Sequence, residues 1–237
     1  MILTIVVGVA VVMIAVEWMA RARAWPRVRG WYLRALLLNG AQFGIAWVAG
    51  QTWERWFASR RLWSIDELGT WPSALIGYFA ITFVYYWWHR LRHDVPCLWR
   101  WLHQVHHSPS RIEIITSFYK HPAEILINSW ISTAVLYFIV GVSAEASAYA
   151  ILLTGLAEFF YHWNIRTPYW LGFLIQRPES HCVHHERGRH RDNYADLPLW
   201  DILFGTFDNP RAWNSACGFE RNAEERLGEM LTGKEVT

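Results

Sequence analysis

Nine of the eleven histidines in this 237-residue chain are spaced so that several imidazoles could surround metal ions. His89 and His93 are four residues apart. His103, His106 and His107, and again His181, His184 and His185, repeat an i, i+3, i+4 pattern. On a helix such residues share a face, and imidazole is the commonest metal-binding side chain. His162 stands apart, with Glu158 one turn before it and Asn164 just after. Nine imidazoles are too many for one tetrahedral or octahedral ion and suit two. A helix with the i, i+3, i+4 pattern would offer one ligand to one ion and two to its neighbour, or a similar split. Closed structural zinc sites use four ligands, usually with cysteine, and haem takes two axial histidines, so neither uses up these clusters. For His121 and His190, a ligand role and an ordinary polar role both stay open.

The elements that must position these residues are apolar. Hydrophobic residues make up 53% of the chain, with 17 tryptophans, and the mean hydropathy is +0.08. Tryptophan favours the membrane–water boundary. Five segments, near residues 1–19, 33–48, 71–88, 125–142 and 144–163, approach the roughly 20 apolar residues that a spanning helix needs. The second carries Asn39 and Gln42 and the fourth Asn128 and Ser129, which are expected to face protein rather than lipid. The first is short, and its span could be partial. Ala20-Arg21-Ala22 formally resembles a cleavage site, but no basic residue precedes the apolar run, so a retained anchor is expected.

Arg21, Arg23, Arg27 and Arg29, with no acid among them, place the link after the first segment in the cytoplasm by the positive-inside rule. Alternation from there puts all eleven histidines on the cytoplasmic side. Arg55, Arg60 and Arg61 lie in the expected outer loop, partly balanced by Glu54, Asp66 and Glu67. Val95-Pro96 should end the third helix, residues 98–107 should be helical, and Ser108-Pro109 should stop them. Residues 169–175 form a short apolar piece expected in the membrane interface. A helix starting near Pro178-Glu179 should carry His181, His184 and His185, and residues 223–231 should form a short amphipathic helix. The expected fold is an all-α integral membrane bundle of about four to five spanning helices, with a cytoplasmic helical cap holding a histidine-rich di-metal site. It reads as one membrane domain, 1–237: spanning helices in 1–70, the histidine motifs in 71–210 and a cytoplasmic tail in 211–237. A net charge of +2 gives no reason to expect a nucleic-acid partner, and the three cysteines (Cys97, Cys182, Cys217) read as free thiols in a reducing compartment.

The run Tyr85-Tyr86-Trp87-Trp88-His89-Arg90-Leu91-Arg92-His93, followed by His103-Gln104-Val105-His106-His107-Ser108, resembles the fatty acid hydroxylase superfamily, which includes sterol desaturases and alkylglycerol monooxygenase. Lys120-His121-Pro122-Ala123-Glu124, His181-Cys182-Val183-His184-His185, Asn193-Tyr194 and residues 199–206 extend the resemblance over roughly residues 71–210. Ala195 departs from it, standing where the family commonly has glycine. The resemblance implies a di-metal site, taken to be two iron ions, that uses O2 and two electrons to attack an unactivated C–H bond of a lipid. The metal ligands would be His89, His93, His103, His106, His107, His162, His181, His184 and His185. No other side chain stands out as catalytic. Glu124, Glu158, Glu179, Asn193 and Asp201 are candidate acceptors that orient the imidazoles. His121, Glu158 and Asn164 are possible additional ligands, and a plain salt bridge from Glu158 to a nearby arginine is the alternative for that residue.

These features predict a membrane-bound hydroxylase or desaturase whose partners are a lipid substrate, the bilayer and an external electron donor. Its location would be the inner membrane in a bacterium or the endoplasmic reticulum in a eukaryote, with the histidines on the cytoplasmic face. The alternative is a non-catalytic metal-binding or metal-transporting membrane protein. A carrier should place ligands through the bilayer midplane, however, and these gather at one end. A haem electron carrier would instead show a Soret band. Hydroxylation, desaturation and ether cleavage stay open, because within the family one ligand set serves all three.

Overall fold

All five apolar segments fold as helices in a computed structural model that describes residues 2–220 and 223–236. They are α1 (Ile2–Ala20), α2 (Trp31–Gln51), α4 (Thr70–Asp94), α6 (Pro122–Ala134, continued by a π-helical turn Val135–Val140) and α7 (Ala144–His162), with a short α3 (Trp53–Ala58) after α2. Among the described residues the chain is all-helical apart from one isolated bridge between Glu186 and Cys217. One helix, Pro122–Val140, is long and apolar enough to cross a membrane by length and composition, and Thr4–Ala20 is a shorter apolar helix.

Helix α4 runs through the centre of the bundle against α7. Small residues make the approach close: Ala74, Ala146 and Ala150 are fully buried together with Ile81 and Leu136. A Cβ on Gly77 would lie 2.8 Å from Leu136 Cδ2 and 3.5 Å from Ala150 Cβ, so a larger residue there would have to push the Leu136 methyl aside. At the end of the bundle away from the histidines, Gly141 closes α6 in the left-handed region (φ 79°), against the Trp63 carbonyl. Arg61 of the same loop pairs with Asp66 at 2.8 Å and Arg60 lies over the Trp56 ring, so both cations have local partners.

The histidine-bearing end is built from short pieces. Val95 is extended, as the residue before a proline must be, and Pro96 starts the next helical run. That run, α5, has three consecutive parts: Pro96–Leu98, a π-helical Trp99–His103 and Gln104–His107. The π turn inserts one residue, with Gln104 N–H donating to the carbonyl of Trp99. Helix α8 (Pro178–His184) opens on a proline at its first turn, and His185 follows it in a non-helical conformation. Helix α9 (Pro198–Phe204) packs Trp200 on Phe79 and Phe83 of α4. The stretch 223–231 is not one helix: a 3-10 turn (Ala223–Glu225) precedes α10 (Leu227–Met230), because Arg226 interrupts the helical backbone at φ −84°, ψ 33°. This tail seals the underside of α5, where Gln104 Nε2 donates to the Lys234 carbonyl and Trp99, Val105, Phe219, Met230 and Val236 share one core with Trp31 and Tyr119. Cys97 is exposed, and Cys182 and Cys217 are buried free thiols.

Candidate metal centre

The nine clustered histidines, dispersed over a hundred residues, converge as two groups. His89, His93, His103, His107 and His184 form one, and His106, His162, His181 and His185 the other; within each, the ligand atoms lie within 4.8 Å of one another. The two i, i+3, i+4 motifs divide between them in opposite senses. His103 and His107 serve the five-histidine group and His106 the four; His181 and His185 serve the four and His184 the five. Helices α4, α5 and α8 thus build the first group, and α5, α7 and the α8 segment with His185 the second. The groups touch where the His107 and His185 rings stack at 4.1 Å.

Hydrogen-bond partners fix several tautomers. A carbonyl oxygen only accepts, so Nδ1–H donates from His89 to Tyr194 (2.7 Å), from His184 to Asp192 (2.6 Å), from His162 to Glu158 (2.9 Å) and from His106 to Tyr119 (3.3 Å). His103 Nδ1–H donates to the carboxylate of Glu124 at 3.1 Å. In each of these rings Nε2 is left with a bare lone pair. His89 Nε2 nevertheless faces His184 Nε2 at 3.0 Å, His162 Nε2 faces His181 Nε2 at 3.0 Å, and His103 Nε2 faces His107 Nε2 at 3.2 Å. For His89 and His184 the proton is fixed at Nδ1 on both rings, so the facing atoms repel unless a cation lies between them. Nitrogens about 2.1 Å from a shared ion stand about 3.0–3.4 Å apart, the spacing seen here.

Burial excludes the other cure, protonation. It holds His184 down to about 3 from its usual 6.5. Burial, reinforced by neighbouring imidazoles, by Arg92 at His103 and by Lys120 at His106, likewise keeps His103, His106, His107, His181 and His185 well below that value. His93 Nε2, His181 Nδ1 and both ring nitrogens of His185 are buried without any hydrogen-bond partner among the described residues. Buried polar atoms are seldom left bare. A neutral, desolvated, nitrogen-only donor set with converging lone pairs fits borderline divalent transition ions such as Fe(II) or Zn(II).

The residues behind the imidazoles fall into three kinds. Glu124 holds His103 and is itself ion-paired to the buried Arg92. Asp201 and Asn193 act on the loop between α8 and α9. Asp201 accepts from the backbone N–H groups of Tyr194 (2.8 Å) and Ala195 (3.0 Å), while Asn193 binds the carbonyls of Ser180 and Asp208. They shape the loop that presents the Asp192 and Tyr194 carbonyls to His184 and His89. The remaining candidates point elsewhere. The Glu158 carboxylate pairs with Lys120, and only its backbone carbonyl meets His162. Asn164 clamps the backbone of Arg23, Glu179 binds Thr167 and Arg177, and His121 caps α6 through Ala123 N–H while its Nε2 donates to the Leu231 carbonyl. His190 lies outside both groups but against one, with its Nδ1 3.2 Å from His107 Nδ1.

Sequence reading missed Arg92 and the carbonyls of Tyr119, Asp192 and Tyr194. Arg92 could have been found, since it sits between His89 and His93 on a helix end with a glutamate later in the chain. The carbonyls leave no side-chain signal. One trace exists in Asp192-Asn193, a pair that tolerates the left-handed backbone found there (φ 69° and 50°). Ala195 carries no positive φ and is buried, so the missing glycine costs the loop no strain.

The fatty acid hydroxylase family model matches residues 74–206. The chain belongs to the fatty acid hydroxylase family. It is 33% identical over 162 residues to human alkylglycerol monooxygenase, covering 66% of this chain and 34% of that protein. It is 32% identical over 146 residues to alkylglycerol monooxygenase of Danio rerio (60% and 31%), and 30% identical over 148 residues to an ornithine lipid hydroxylase of Rhizobium tropici (59% and 44%). The matched region thus spans between 31% and 44% of the length of these relatives. No solved structure gives a significant match.

Proposed function

We propose that this protein is a membrane-bound oxidoreductase that inserts one oxygen atom of O2 into a C–H bond of a lipid. The observation that carries this reading is the pair of histidine groups with ring nitrogens converging at 3.0–3.2 Å. His89, His93, His103, His107 and His184 would hold one iron ion, and His106, His162, His181 and His185 the other. When bound, the iron pair supplies the activation of O2 that an unactivated C–H bond requires. The balance is C–H plus O2, two electrons and two protons to C–OH plus water, with the electrons supplied by a separate donor. The relatives' names, a monooxygenase of alkylglycerols and a hydroxylase of ornithine lipids, support oxygen insertion into a lipid.

The protein's own part is to hold rings and exclude water. The Tyr119, Glu158, Asp192 and Tyr194 carbonyls and Glu124 keep Nδ1 protonated, so Nε2 stays free to bind. Burial of seven of the nine rings keeps bulk water and protons away.

A bilayer around the bundle suits its surface. Val11, Val12, Leu33, Leu36, Leu37, Trp47 and Leu75 are each more than half exposed on α1, α2 and α4. So much outward apolar surface would drive association in water and is ordinary in lipid. We read α1, α2, α4, α6 and α7 as the spanning or partly spanning helices, with the histidines at the cytoplasmic end.

The test is to purify the full chain from cells given iron, count metal per polypeptide, and supply reductant, extracted lipids and 18O2. Two iron ions per chain and a lipid product heavier by one 18O atom are expected. Fewer than two ions in an active preparation, or oxygen drawn from water, would overturn the assignment.

A further inference from the structure

A cavity of about 140 Å³ lies beside the histidine-bearing end, between α1, the link after it and the segment ahead of α6. Arg21, Arg23, Arg111, Glu17, Glu113 and Trp25 line it. Its charges are unequally committed. Glu113 accepts from both sides of the Arg111 guanidinium and from Trp31 Nε1, so these two side chains neutralise each other. Glu17 accepts from the Ile114 N–H on Oε2 at 3.1 Å, while its Oε1 is buried without a partner among the described residues. Arg21 is exposed and has no ion-pair partner among the described residues, while the nearest carboxylate oxygen to Arg23 there is Glu179 at 4.0 Å. Arg23 Nε and Trp25 Nε1 are buried donors without an acceptor among the described residues. With three cations and two carboxylates, the lining carries one net positive charge and has donors to spare.

Its position says which anion would fit. Trp18 and Met19, three-quarters exposed, and Tyr32 and Leu33 stand around it where α1 ends and α2 begins. Aromatic and basic residues together at a helix end mark the membrane–water boundary. Ile14 and Trp18 extend the lining up the apolar helix. We propose that this cavity binds the anionic headgroup of a membrane lipid, with Arg21, Arg23 and Trp25 Nε1 as donors and the acyl chains lying along α1. Asn164 connects this place to the metal centre. It takes the Arg23 N–H on Oδ1 (3.0 Å), gives Nδ2 to the Arg23 carbonyl (2.9 Å), and stands two residues past His162. A lipid held here is therefore held next to the ligand-bearing end of α7. The inference rests on the membrane reading above but not on catalysis, and its test measures binding alone.

The experiment is native mass spectrometry and thermal unfolding of the full, iron-loaded chain in dodecyl maltoside micelles, doped with dioleoyl phosphatidylglycerol or dioleoyl phosphatidylcholine. Retention of one phosphatidylglycerol per chain, with a rise in Tm that phosphatidylcholine does not give, is expected. Arg21→Gln and Trp25→Phe should each weaken that retention about tenfold, as loss of a charge-assisted or buried hydrogen bond does. Arg23→Lys keeps the charge but lacks the Nε donor, and it should fall between these variants and the unaltered protein. Inorganic phosphate alone should give a far smaller shift than phosphatidylglycerol. Equal retention of the two lipids, or undiminished binding in both Arg21→Gln and Trp25→Phe, overturns the proposal. Phosphate acting as strongly as the lipid also overturns it, because the site would then be one for a free anion. Oxygen incorporation assays on the same samples report separately on the enzyme reading.

Discussion

The five-histidine and four-histidine groups are neighbours built from the same motifs, yet their surroundings differ. In the five-histidine group, His89 and His93 are only half-buried, and three rings are oriented from behind by Tyr194, Asp192 and Glu124. In the four-histidine group every ring is buried, but only His106 and His162 have such an acceptor; His181 Nδ1 and both nitrogens of His185 have none. One group is rich in donors and firmly oriented. The other has fewer donors and, with metal bound, more coordination room for a non-protein ligand. The lesson is that an evenly spaced motif need not make an even pair of sites.

Adjacent residues offer the sharpest way to break this contrast. His106→Ala leaves the smaller group three rings, so bound iron should fall from two ions to one and oxygen incorporation should be lost, a drop of at least about a thousandfold. His107→Ala leaves the larger group four rings, and both ions should remain at reduced affinity. Metal analysis of the two purified variants distinguishes them; equal losses would mean that the groups are not separate sites. Next in size, Glu124→Gln frees His103 and leaves Arg92 without its anion. Metal affinity at the five-histidine group should fall about 10–100-fold, with little change at the other, followed by competitive chelation.

Removing the metal tests both groups at once. An ion at a hundred times its Kd stabilises by about 2.7 kcal/mol, so a chelator should lower Tm. The stripped protein should then respond to acid. Its buried imidazoles have folded pKa values depressed from 6.5, to about 3 for His184, so the unfolded chain binds protons first. Their contribution is therefore fully present above about pH 6.5 and lost as pH falls toward 3. Asp201, raised by burial to about 7, works in the opposite sense but is outnumbered. Unfolding of the stripped protein followed from pH 8 to 4 should show a monotonic loss, and a flat profile would count against the buried neutral rings. The smallest effect expected is that of Asp201→Asn, which weakens two hydrogen bonds behind the Tyr194 carbonyl. It should cost about 1–2 kcal/mol and loosen metal at the five-histidine group alone.

Much of this was legible in the residues. The histidine spacing, the proline boundaries at Pro96 and Pro178 and the apolar segments predict helices where helices stand, because local periodicity and proline geometry act within a turn or two. The division of each triad between two histidine groups was also foreseeable from helix geometry, though not its direction. Glu158 shows the limit. A carboxylate one turn before His162 looked like an orienting group, yet its side chain turns to Lys120, thirty-eight residues away, and the backbone does the orienting. Asn164 and His121 were drawn toward the site by sequence proximity, and the structure uses them as a clamp and a helix cap.

The amino-acid sequence alone determined that this is a helical, strongly apolar chain with nine imidazoles on a few helix faces, since side-chain type and a 3.6-residue period are local properties. Only the tertiary structure decided which imidazoles share a group, which are backed by a carbonyl, and that Arg92 and Glu124 meet. Those outcomes depend on long-range packing of α4, α5, α7 and α8. Backbone acceptors, moreover, are chemically identical at every position until the fold aims them.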